Sequence, residues 1–131
     1  MYNKTNTDVM NRGVTNDDER EKRIEEMTPD TRWKLSANHM MGDWRMLARI
    51  SYYGDWYDSG EGFVYPGENV VDLELAYNIN DNSSVMVGGN NVLDEAGDTL
   101  HNINSYGNLY STQAPMGFSG AFWYAKYSYN F

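Results

Sequence analysis

The chain has 131 residues, no cysteine and a formal net charge of -9, with eleven tyrosines and four tryptophans. This is the length of one domain. The acidic balance excludes nucleic acid as a partner, because no Lys/Arg cluster is present to neutralise a phosphate backbone. The lack of cysteine excludes disulfides and thiolate metal sites.

The first 30 residues are polar and are predicted to form an irregular N-terminal segment or an extracellular loop that carries one short helix. Within them, TNDDEREKRIEE pairs opposite charges four residues apart, Asp18 with Lys22 and Glu19 with Arg23. No basic-then-apolar pattern follows Met1 and no run of eighteen apolar residues occurs, so neither a signal peptide nor a transmembrane helix is expected.

From residue 31 onward, apolar residues recur at every second position, which predicts β-strands. The stretches TRWKLSANHMM and WRMLARISYYG flank Gly42 and Asp43, a two-residue connection of the hairpin type. Pairing across this turn places Trp33 opposite Tyr52 on an apolar face. The opposite face is mostly polar and collects Arg32, Lys34, Ser36, Asn38, Arg45, Arg49 and Ser51.

A second hairpin is predicted from VVDLELAYNI and SVMVGGNNV, joined by residues 80–84. With that connection, Tyr77 faces Val87 and Leu75 faces Gly89, which continues the apolar face. The two adjacent glycines of the return strand are interpreted as sites of close approach or a kink.

The chain ends in FWYAKYSYNF, which is amphipathic as a strand to its last residue. Its apolar face holds Trp123, Ala125, Tyr127, Tyr129 and Phe131. Together with the two hairpins this strand predicts an all-β fold, an antiparallel meander of about five strands.

The connections between these strands alternate between short turns and long loops, and the aromatic residues lie near strand ends. Tight turns at one end, long loops at the other and two aromatic girdles are typical of an outer-membrane β-barrel. Each strand has about nine to thirteen residues, against the about 9 to 11 that a tilted membrane-spanning strand needs. The predicted membrane-facing girdle comprises Trp33, Trp44, Tyr52, Tyr77 and Trp123.

The polar face carries charges at mid-strand height, of which Arg49 and Glu74 are predicted to form a pair facing the barrel lumen. Counting from the short turns puts these two residues at similar heights, and Arg49 is expected to lie close to Asp72 or Glu74. Such a pair in a hydrated lumen contributes only about 0 to 1 kcal/mol, so its main effect is on strand register.

Three segments in this order resemble the C-terminal end of TonB-dependent receptors of Gram-negative outer membranes, over residues 28–131. They are TPDTRWKLSANHMMGDWRMLARISYYGDW, VVDLELAYNINDNSSVMVGGNNVLDE and GFSGAFWYAKYSYNF. Within the second, Asn91, Val92, Leu93 and Asp94 look like the family's strand-end Asn-Leu-Phe-Asp pattern. The alternating aromatics Tyr127, Tyr129 and Phe131 are similar to the signal that the outer-membrane assembly machinery reads.

The resemblance implies that residues 31–131 are the C-terminal part of a large transmembrane barrel of about 22 strands in the cell outer membrane. Such receptors import a scarce solute, for example a siderophore, cobalamin or an oligosaccharide, with energy passed from TonB. The implied partners are the lipid bilayer, the assembly machinery and, only through an N-terminal part missing here, TonB. Five strands cannot close a barrel, so the chain is expected to be a fragment.

Catalysis has little support, since His39 and His101 have no partner spacing and no nucleophile–base pair or phosphate loop occurs. No enzyme activity, cofactor or metal site is predicted, and the acidic stretch LDEAGD is interpreted as a solvated loop rather than a cation site. Two alternatives stay open. One is a structural, adhesin-like barrel, and the other is a soluble carbohydrate-binding β-sandwich whose loop aromatics stack on sugars. Those aromatics are Trp56, Tyr57, Tyr65 and Tyr110.

Overall fold

A computed structural model describes residue 2 and residues 4–6, 18–100 and 107–131. One helix, α1 (Asp18–Glu26), precedes seven strands in the described residues. The strands are β1 (Arg32–Met41), β2 (Trp44–Tyr53), β3 (Trp56–Asp58), β4 (Phe63–Tyr65), β5 (Glu68–Asn80), β6 (Ser83–Asn90) and β7 (Phe122–Tyr129). In this part of the chain no helix is long and apolar enough to cross a membrane.

Five of the strands form one antiparallel meander in the order β1-β2-β5-β6-β7, which confirms the predicted fold class. The remaining two, β3 and β4, form a small hairpin within the β2–β5 connection. By residue contacts the chain divides into two compact units. The first lies within Met1–Trp33, Tyr52–Glu68 and Ala96–Phe118, and the second comprises Lys34–Ser51, Asn69–Glu95 and Ser119–Phe131.

The first hairpin turns at Gly42 and Asp43, as its sequence predicts. Gly42 has a φ of 58°, a left-handed conformation that glycine adopts without steric cost. The rings of Trp33 and Tyr52 stack with centroids 5.7 Å apart, and the backbone N–H of Gly54 donates to the carbonyl of Thr31 at 2.8 Å. Both contacts agree with the predicted pairing of β1 with β2.

The predicted register of the second hairpin is wrong by two residues. Leu75 pairs with Val87 and not with Gly89, and Tyr77 pairs with Val85. The connection is shorter than predicted, because β5 continues to Asn80 and β6 begins at Ser83. The ladder shifts between Asn78 and Asn80, so the residue between them is an extra residue of the bulge type. A two-residue shift leaves every side chain on its predicted face.

The buried apolar residues lie outside the five-stranded sheet. Among the described residues they are Trp56, Tyr57, Tyr65 and Leu100, all in the first compact unit. Trp56 and Tyr65 stack with ring centroids 5.0 Å apart across the β3–β4 pair. The buried residues of the five sheet strands, by contrast, are all small: Ser51, Ser83, Gly88 and Gly89.

Candidate functional site

The apolar face of the sheet is the most extensive candidate surface in the described residues. Alternation along each strand puts the apolar side chains on one side, and several of them are largely exposed, among them Leu35 at 65%, Val87 at 54% and Trp123 at 66%. The middle of the face is an open apolar depression of about 860 Å³, whose lining includes Ala48 and Leu75. A large apolar surface without a covering layer is the signature of an interface with protein or membrane.

The aromatic residues of the predicted girdle lie near the ends of their strands. Trp33 and Tyr52 stack at the long-loop ends of β1 and β2. At the short-turn ends of β2 and β5, the ring centroids of Trp44 and Tyr77 lie 4.5 Å apart. Trp123 begins the apolar face of β7 opposite Gly89, at the long-loop end.

The residues of the predicted assembly signal lie at the short-turn end of β7. Tyr127 pairs with Val85 and Tyr129 pairs with Ser83. The rings of Tyr129 and Phe131 make an edge-to-face contact, with centroids 5.0 Å apart. Phe131 is fully exposed, so its ring is available to a partner.

The opposite face of the sheet carries a network of charged and polar groups. Arg45 Nη2 lies 2.5 Å from Glu74 Oε1, and the Tyr124 hydroxyl donates to Glu74 Oε2 at 3.1 Å. Arg49 Nη1 lies 3.5 Å from Asp72 Oδ2. The predicted pair of Arg49 with Glu74 is therefore not formed. Arg49 pairs with Asp72, one of its two expected partners, and Glu74 pairs with Arg45.

Gly88 leaves the space that the Tyr124 ring needs to reach Glu74. The three residues occupy one row, since Gly88 pairs with Glu74 on β5 and with Tyr124 on β7. A Cβ at Gly88 would lie 2.5 Å from Tyr124 Cζ, so the tyrosine ring crosses the middle strand where glycine leaves room. The sequence indicated a close approach here but gave no signal for the ring that makes it.

The Asn91–Asp94 segment forms a hydrogen-bonded junction at the long-loop end of β6. Asn91 and Asp94 both have positive φ, 53° and 59°. The Asn91 side chain donates to the Glu95 carbonyl at 2.5 Å and accepts from the Glu95 N–H at 3.0 Å. Asp94 Oδ1 accepts from the N–H of Ala121, just before β7, at 2.7 Å. These groups bond to the chain itself, and the described residues contain no group of three metal-ligating side chains.

The loop aromatics proposed as a sugar platform form the interior of the first compact unit instead. Trp56, Tyr57 and Tyr65 are each no more than 3% exposed, which leaves no ring face to stack on a sugar. Tyr110 is half-buried, and its backbone bridges to Thr99. His101 and the side chains of Asp18 and Glu19 lie outside the described residues.

No protein-family model, curated protein or solved structure matches the chain.

Proposed function

We propose that the chain is the C-terminal β-barrel segment of a TonB-dependent outer-membrane receptor, which imports a scarce solute such as a siderophore, cobalamin or an oligosaccharide. The observation that carries the membrane assignment is the exposed apolar face with aromatic rows at both ends. A five-stranded sheet that buries no large apolar residue of its own gains little from folding in water, because apolar burial is the main favourable term. Contact with lipid acyl chains supplies that burial.

The charged face supports the same orientation. Arg45, Glu74, Arg49 and Asp72 are tolerated in a hydrated barrel lumen, whereas each would be expensive against lipid. The two faces of one sheet thus match the two environments of a barrel wall.

The strand number supports a larger assembly. Five strands are fewer than the about eight of the smallest membrane barrels, and the sheet has edges at β1 and β7. Unpaired backbone groups at those edges are intolerable in lipid. In the proposed parent barrel, neighbouring strands pair with both edges.

The soluble sugar-binding sandwich is disfavoured on two observations. Three of its four stacking rings are buried, and the apolar face that a second sheet would have to cover is exposed. An adhesin-like barrel without transport would have the same sheet geometry. Only a measurement of solute transport distinguishes it from a receptor.

The test expresses the parent gene, read upstream of Met1 for an in-frame plug domain, in its Gram-negative host. We expect the protein in the outer-membrane fraction, extractable by detergent only, and solute uptake that is lost when TonB is deleted. Outer-membrane location without any solute uptake would favour the adhesin-like alternative. Recovery from the soluble fraction without detergent would exclude both barrel proposals.

In a parent protein that also ends at Phe131, deletion of this residue is expected to lower the amount that reaches the outer membrane, with little change in thermal stability of the barrel. Recognition of an exposed strand takes affinity from the backbone and specificity from side chains, and Phe131 is fully exposed. Quantitative blotting of outer-membrane fractions, beside heat-modifiability on gels, measures both quantities. Unchanged membrane levels with a weakened barrel would identify Phe131 as an ordinary packing residue.

A further inference from the structure

The pairing of β5 with β6 is chosen from two registers that the apolar pattern does not distinguish. A one-residue slip would move every side chain to the other face, but a two-residue slip keeps all faces. In the observed register Leu75 is opposite Val87. In the slipped register Tyr77 would be opposite Val87, with a turn one residue longer and the same apolar stripe. Something other than the period of two must therefore select the pairing.

One selective contact lies at the long-loop end of the two strands. The backbone N–H of Asn91 donates to Asp72 Oδ1 at 2.9 Å, and the next N–H, of Val92, donates to the Val71 carbonyl at 2.8 Å. Asn91 is left-handed and stands outside the regular ladder. The slipped register would draw Asn91 into the ladder opposite Leu73, which puts its amide on the apolar face and breaks its bond to Asp72.

A second selective contact lies at mid-strand. Tyr124 reaches Glu74 across Gly88, at 3.1 Å, because all three residues share one row. If β5 slipped by two residues against β6 and β7, the residue in that row would be Ala76 instead of Glu74. Ala76 has no acceptor for the tyrosine hydroxyl, so this bond exists only in the observed register.

We propose that these two contacts form a register latch, made of Asp72, Glu74, Gly88, Asn91 and Tyr124, which selects the observed pairing over the two-residue slip. Arg49 is joined to the latch through Asp72, so the selection extends to β2. The inference concerns strand pairing alone and does not rest on the proposed function.

The chain contains no cysteine, so engineered disulfides report the register without background. L75C with V87C is the native pair, and Y77C with V87C is the slipped pair. Directly opposed residues have Cα atoms about 4.5 to 5.5 Å apart, within disulfide reach, whereas diagonal neighbours at about 7 to 8 Å are beyond it. Each pair is built into the full chain, refolded in detergent and oxidised with glutathione, and the disulfide yield is measured by peptide mass spectrometry.

In the otherwise unchanged chain the native pair is expected to exceed the slipped pair at least about tenfold, since two hydrogen bonds each contribute a factor of about three to ten. D72A combined with Y124F removes both contacts and is expected to raise the slipped-to-native ratio by about tenfold or more. D72N is the matched control, because its amide oxygen still accepts from the Asn91 N–H, and its ratio should stay unchanged.

If the double variant forms neither disulfide, Y124F alone decides, because it removes only the hydroxyl that bonds to Glu74 and keeps the bond between Asn91 and Asp72. A rise of the ratio in Y124F supports the latch. An unchanged ratio in Y124F or in the double variant overturns it, as does equal formation of both disulfides in the otherwise unchanged chain.

Discussion

Replacing Val87 by arginine is expected to lower the free energy of unfolding of the parent barrel in lipid by about 2 to 4 kcal/mol, the cost of a cation on the lipid face near the bilayer centre. Val87 lies at mid-strand on the apolar face, paired with Leu75 and Ala125, and is 54% exposed in the sheet alone. Urea titration of the protein in lipid vesicles measures the loss, and blotting of outer-membrane fractions measures its effect on assembly.

Met86→Arg is the matched control, one residue away on the same strand and on the opposite face. There the new cation faces Lys126, and two like charges directly opposite cost at most about 1 kcal/mol. The lipid-facing assignment requires Val87→Arg to be much the more damaging change. Substitution of an exposed valine in a water-soluble sheet changes the free energy of unfolding by only about 0.5 kcal/mol. If arginine is tolerated at both positions, the apolar face does not contact lipid and the membrane proposal is wrong.

The face of each strand residue was predictable from sequence because side-chain direction depends only on position along the strand. Trp33 beside Tyr52 follows from the two-residue turn at Gly42 and Asp43, which leaves one arrangement of β1 against β2. Local chemistry and alternation agree there, so the prediction needed no knowledge of distant contacts.

The register of β5 with β6 could not be obtained in the same way. Asn80 to Ser84 offers a turn of either two or three residues, and both keep Leu75 and Val87 on the apolar face. The choice depends on Asn91 bonding to Asp72, nineteen residues away. For the same reason the sequence predicted two possible partners for Arg49, Asp72 or Glu74. The position of one strand residue relative to the neighbouring strand is known from sequence only to within a few residues.

The loops were the least predictable part, because their burial follows no period. Trp56 and Tyr65 read as exposed loop aromatics, yet they stack on each other in a buried cluster with Leu100. Asp58 was not singled out from the sequence, yet it is 3% exposed and bonds to Ser111. Contacts between residues that are distant in the sequence leave no local pattern that identifies them.

Asp58→Ala is expected to open the loop unit, with a loss of about 3 kcal/mol, since each donor left unpartnered costs about 1 to 3 kcal/mol and some of the four donors regain water. The carboxylate accepts from Gly60 N–H at 2.7 Å, Glu61 N–H at 3.1 Å and Gln113 Nε2 at 3.0 Å, and from the Ser111 hydroxyl. Hydrogen exchange of the Gly60 and Glu61 amides measures the opening directly, and their protection should fall by about a hundredfold.

Asp58→Asn separates geometry from charge at this position. The asparagine oxygen can keep the three bonds now made by Oδ1, and its amide can donate to the Ser111 hydroxyl, so we expect a loss of only about 1 kcal/mol. The backbone N–H groups of Gly60 and Glu61 both donate to Asp58 Oδ1, two and three residues earlier in the chain. Asn and Asp both support a turn of this kind. If Asp58→Asn opens the loops as far as Asp58→Ala does, the negative charge and not the bonding pattern holds the turn at 58–62 to the segment at 111–113.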